Sequence, residues 1–119
     1  MNVAIIGASN KHNRYSYMAL KKLQEAGHVV YPVHKVLKEI DGLDVYACVG
    51  DIKDQIDTVT LYVNEEVSNA MAEDIIALNP KRIIFNPGAE NYSLQELATK
   101  KGIKTMLACT LVLLSTRSF

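Results

Sequence analysis

Asn2-Val3-Ala4-Ile5-Ile6-Gly7-Ala8-Ser9-Asn10 opens the chain with an apolar run that a glycine cuts short. The run is brief and apolar at consecutive positions. That is what a parallel strand needs when helices cover both of its faces. Val29-Val30-Tyr31-Pro32-Val33 repeats the pattern, as do Val59-Thr60-Leu61-Tyr62-Val63, Arg82-Ile83-Ile84-Phe85-Asn86 and Lys104-Thr105-Met106-Leu107-Ala108. A weak extra strand is expected at Asp44-Val45-Tyr46.

Between the runs the period changes to that of a helix. From about Tyr17 to Ala26, Leu20, Leu23 and Ala26 face one way while Lys21, Lys22 and Gln24 face out. Gly27 then supplies a helix C-cap that tolerates positive φ. Val67, Ala70, Met71, Ile75 and Leu78 trace a second stripe, which Asn64 can cap and whose early acids suit the helix dipole. Ser93-Leu94-Gln95-Glu96 has the form of a capping box before a helix that ends at Gly102. Leu111 to Leu114 gives a last short helix.

Strand alternating with helix throughout implies a three-layer, doubly wound α/β parallel sheet, with residues 1–119 as a single domain. The usual strand order 3-2-1-4-5-6 would put the first strand at the centre. A chain of 119 residues is too short for two sound cores. An apolar fraction of 49% and a charged fraction of 22% exclude intrinsic disorder. The formal net charge of +0 argues against a protein that coats nucleic acid or an anionic membrane. Met1-Asn2-Val3 lacks the features of a secretory leader, and Met106 to Leu114 is too short to span a bilayer, so a cytoplasmic location is expected. Cys48 and Cys109 have neither zinc nor C-x-x-C spacing.

In such a sheet, ligands bind beyond the carboxyl ends of the strands. The first strand runs into Gly7, Ala8, Ser9, Lys11 and Arg14. Gly7 allows a tight turn, small Ala8 and Ser9 let backbone N–H groups approach a phosphate, and Lys11 and Arg14 add cationic donors. Only the first glycine of G-x-G-x-x-G is present. Enzymes that use NAD usually place an acid after the second strand to hold the ribose hydroxyls. Here Val33, His34 and Lys35 stand there, and no carboxylate appears before Glu39. A cation at this place suits a phosphorylated ribose, as in NADP or coenzyme A. Asn86, Pro87 and Gly88 read as a turn that can form a narrow shelf beside a ligand. Glu90 is the only acid near these strand ends, and a lone carboxylate does not make a catalytic site. No catalytic residues and no metal ligands are assigned.

Five segments taken together carry a resemblance. Gly7-Ala8-Ser9-Asn10-Lys11 followed by Arg14-Tyr15-Ser16-Tyr17 looks like the first loop of the small stand-alone coenzyme A (CoA)-binding proteins. Gly27 to Val33, Asp57 to Asn64, Phe85 to Gly88 and Ala108 to Val112 match in the same order. That family is similar to the CoA-binding domain of the succinyl-CoA synthetase α-subunit, a Rossmann-like fold. The resemblance implies that the CoA phosphates rest on the Gly7 to Arg14 loop, with Tyr17 at its end. It implies that the adenosine end meets Val33 to Lys35 and Tyr62-Val63-Asn64, and that Asn86-Pro87-Gly88 flanks the pantetheine. The family commonly reads Val-Asn-Pro-Lys after the second strand, whereas this chain reads Val33-His34-Lys35-Val36, so its cation is displaced by one position.

The leading expectation is therefore non-catalytic binding of CoA or a short acyl-CoA. The ligand would be the main partner, with a homodimer as one assembly and no nucleic acid or membrane partner. The alternatives are an NADP-dependent oxidoreductase, for which the chain leaves little room beyond the cofactor fold, and a CoA-linked thiol redox sensor. In the sensor, Cys109, at the end of the last strand, would meet the pantetheine thiol. Acyl-CoA ligase chemistry needs further domains.

Overall fold

The computed structural model describes all residues, 1–119. Strand β1 (Asn2–Ile6) is buried from Val3 onward and pairs on both sides. β2 (Val29–Val33) lies on one flank and β5 (Thr58–Leu61) on the other. β6 (Arg82–Phe85) and β7 (Lys104–Leu107) extend the sheet, giving the order β2-β1-β5-β6-β7 with every pairing parallel.

Alternation along each strand divides the apolar residues between two layers. Ala4, Ile6, Val59, Leu61, Ile83 and Phe85 face one way and join Ile75, Leu94 and Ala98. Ile75 comes from α3 (Ala72–Ala77), and Leu94 and Ala98 from α4 (Tyr92–Lys100). Val3 and Ile5 face the other way against Leu20 and Leu23 of α1 (Tyr15–Glu25), with Leu114 of α5 (Thr110–Ser115) beside them. Both faces are thus covered, and each fully buried Ile, Leu or Phe contributes roughly 1.5–3 kcal/mol. The three-layer, Rossmann-like α/β fold expected from the alternating pattern is present.

The end of α1 follows the expected cap. Gly27 has φ +90, and the His28 N–H returns to the Leu23 carbonyl at 3.0 Å. Three local expectations change. The weak strand at 44–46 is split. Asp44 belongs to a small hairpin, β3 (Glu39–Ile40) with β4 (Leu43–Asp44), turned by Asp41-Gly42 with both φ angles positive. Tyr46 alone then pairs with Val33 in a single parallel bridge. Its N–H donates to the Pro32 carbonyl at 2.9 Å, and the His34 N–H returns to its carbonyl at 3.0 Å. A sixth strand is therefore one bridge wide. Counting it, β1 stands third in the 3-2-1-4-5-6 order; without it β5 is central.

The stripe after Asn64 forms two helices, α2 (Glu65–Ala70) and α3, which break at Met71. Asn64 caps α2 as expected, accepting the Val67 N–H at 2.9 Å. The cap of α4 is Asn91, not Ser93: the Asn91 side chain accepts the Leu94 N–H at 3.0 Å. Its Nδ2 donates to Ser68 Oγ and Asn69 Oδ1, so one asparagine starts α4 and ties it to α2. Glu96 instead pairs with Lys100.

Candidate functional site

The turn after β1 passes directly under the turn after β5, and glycine is required there. Gly7 has φ +89, and a Cβ on it would lie 2.9 Å from Val63 Cγ1 and 3.1 Å from the Tyr62 carbonyl carbon. Its N–H and that of Ala8 both donate to the Val33 carbonyl at 3.1 Å. These two amides are therefore spent on the end of β2 and do not face an anion. The amides of this loop without an acceptor in the chain are those of Ser9, Asn10, His12 and Asn13, and of Tyr15 and Ser16 at the start of α1. Ser9 Oγ accepts the Lys11 N–H at 3.0 Å and curls the loop.

Above this crossing lies a cleft of about 730 Å³ at the carboxyl ends of the strands. Of the residues singled out from the sequence, Gly7, Ala8, Ser9, Lys11, Arg14, Val33, His34, Lys35, Tyr62, Val63 and Pro87 line it. Lys11, Arg14 and Lys35 are exposed, and none takes part in an ion pair within the chain. No aspartate or glutamate lines the cleft. Three uncompensated cations and a set of open amides around one hollow supply the donors that an anion would need, since each cation would gain a charge-assisted hydrogen bond. Arg14 occupies the N-cap position of α1 without capping it, so its guanidinium is free.

The opposite wall is apolar. Tyr62 reaches under the cleft with its hydroxyl buried and without a partner, and burial pushes its phenol up to about 12. It stays neutral and acts as a surface rather than a proton donor of consequence. Val67 and Met71, read from the sequence as part of a core stripe, both line the cleft; Val67 is 40% exposed, while Met71 also packs against the core. Leu37 and Ala47 also line the cleft. The available signal was position: a helix that begins at the carboxyl end of β5 presents its first turn to the ligand side.

Five residues do not line the cleft. Tyr17 donates to Asp41 Oδ2 at 2.5 Å and stacks on His12 with centroids 4.4 Å apart. Asn64 is used as the α2 cap. Asn86 is buried and serves as a junction. Its Nδ2 donates to Thr60 Oγ1 at 2.7 Å and to the Leu61 carbonyl at 2.8 Å, while its Oδ1 accepts the Thr110 N–H at 2.8 Å. Gly88 gives its N–H to the Glu90 carboxylate, so that acid closes its own turn. Cys109 is a half-buried free thiol at the N-cap position of α5.

The CoA binding domain family model matches residues 1–115. A Bacillus subtilis protein, YneT, is 25% identical over 100 residues, which are 84% of this chain and 74% of that one. The ADP-forming acetate–CoA ligase of Methanocaldococcus jannaschii is 33% identical over 100 residues, 83% of this chain but 14% of the ligase. A protein of known crystal structure superposes with a TM-score of 0.89 at 38% identity, over 99% of this chain and 97% of the other. With residues 1–115 of its 119 matched, the chain belongs to the CoA binding domain family.

Proposed function

We propose that the cleft binds CoA or a short acyl-CoA without catalysing a reaction on it. The observation that carries this reading is the charge of the cleft: Lys11, Arg14 and Lys35 stand unpaired around it and no carboxylate lines it. A pyrophosphate on the Ser9–Ser16 loop would take the open amides together with Lys11 and Arg14. A ribose phosphate would sit by His34 and Lys35. The pantetheine arm would run over Val63, Val67 and Met71 toward Pro87. That apolar wall suits an aliphatic chain, and Glu90, the acid near these strand ends, does not line the cleft. The chain spans 14% of the M. jannaschii ligase, so the ligase reaction is not carried over to it.

Calorimetric titration with CoA, dephospho-CoA, NAD and NADP tests the proposal. CoA is expected to bind most tightly and unchanged, with dephospho-CoA weaker. Equal affinity for NADP, or turnover of an acyl-CoA by the purified protein, would overturn it.

A further inference from the structure

We infer that His34 is a positioning residue for Lys35: its imidazole, held in one tautomer, fixes the turn that aims the lysine. This rests on the reading that the cleft takes a phosphorylated ribose beside Lys35.

The turn leaves β2 at Val33, whose carbonyl is held by the Gly7 and Ala8 amides. The His34 N–H is held by the Tyr46 carbonyl at 3.0 Å. The His34 side chain then reaches forward, and its Nδ1 accepts the Val36 N–H at 3.1 Å and the Leu37 N–H at 3.0 Å. Lys35 lies between these anchors. The residue before it is pinned through the backbone, and the residue after it through the His34 ring. The direction in which Lys35 leaves the chain therefore depends on that ring. An imidazole nitrogen that receives two N–H donors must be unprotonated, and a ring carbon in its place would bond neither of them. The proton consequently resides on Nε2, which has no partner in the chain, while the side chain lines the cleft. Lys35 itself has no ion pair to orient it. A long, flexible lysine reads a phosphate better when the start of its side chain is fixed, because less freedom is lost on binding.

The test is calorimetry with CoA and dephospho-CoA on the wild type, His34→Ala, His34→Asn, Lys35→Ala and the His34→Ala/Lys35→Ala double variant, with thermal melts alongside. Nitrogen-15 spectra of the wild-type imidazole complete it. His34→Ala is expected to weaken CoA about tenfold and dephospho-CoA far less. His34→Asn, whose Oδ1 can take over the Nδ1 bonds, should restore most of the difference. In the Lys35→Ala background, His34→Ala should cost CoA nothing further. The spectra should show a bare Nδ1 and a protonated Nε2. The inference is overturned if His34→Ala weakens both ligands equally, if its effect persists without Lys35, or if Nδ1 carries the proton. The spectral result needs no variant to fold. A wild type that binds CoA and dephospho-CoA equally overturns this inference and leaves CoA binding standing. A wild type that binds neither overturns the reading beneath it.

Discussion

Gly7 and Arg14 bracket the loop at the rim of the cleft, and they shape it in opposite ways. Gly7 acts through what it lacks, since any Cβ would meet Val63 and the Tyr62 backbone. Arg14 acts through an unspent side chain: it neither caps α1 nor joins an ion pair. Arg14→Ala should therefore weaken CoA binding by about 1.5–3 kcal/mol, the range for a hydrogen bond to a charged group, and less at high salt. The melting temperature of the ligand-free protein should hardly move. Calorimetry with a parallel melt checks both, and an unchanged affinity would remove Arg14 from the site. Both residues were legible in the sequence because their place after the first strand fixes their place in space. Asn86 and Asn91 were not. Their polar partners lie 22–26 residues away, so only the completed fold separates a buried junction from a surface asparagine.

Among the elements, the small hairpin β3–β4 was the hardest to foresee, because two-residue strands fall below any periodicity. Asp41-Gly42 was its one available signal. It is fastened to α1 through Asp41, which accepts from Tyr17 and pairs with Lys21 at 3.2 Å. Tyr17, expected in the ligand site, is therefore a clasp between elements. The Tyr17 hydrogen bond, and after it Lys21, holds the Asp41 carboxyl below its usual range. The sign follows from that direction. The clasp is complete above the ordinary carboxylate range and is lost as pH falls through the lowered folded value. Amide exchange at residues 39–44 should therefore accelerate in acid before exchange in the sheet strands does. Asp41→Asn should remove that acid step. If the asparagine variant loosens with the same pH dependence, the clasp has another source. The helices show a different limit of legibility. Periodicity told which residues of 67–78 share a face, but not that Val67 would leave the core for the cleft or that Met71 would border both.

On the scale of the whole molecule, the ligand would bridge parts that the fold joins only at their bases. The cleft is lined from the loop after β1, the turn after β2, the exit of β5 with α2, and Pro87 beyond β6. Strands β1, β5 and β6 beneath are largely buried and paired on both sides, whereas Lys11, Arg14 and Lys35 above them are exposed and without ion pairs. The ligand-free protein thus carries three cations gathered around one hollow, a self-repulsion that a polyanion would relieve. Binding to the native state alone should raise stability by RT ln(1 + [L]/Kd), about 2.7 kcal/mol at a hundredfold excess over Kd. For a domain of this size that is a rise of roughly 10 °C in melting temperature. CoA should produce it, dephospho-CoA less of it, and NAD at the same concentration almost none. Raising the salt should lower the melting point of the CoA complex while raising or sparing that of the free protein, since screening removes both the attraction and the repulsion. A thermal-shift series over ligand and salt measures all of this. An equal rise with NAD, or a CoA-induced rise that salt leaves untouched, would mean that the cations around the cleft do not select the ligand.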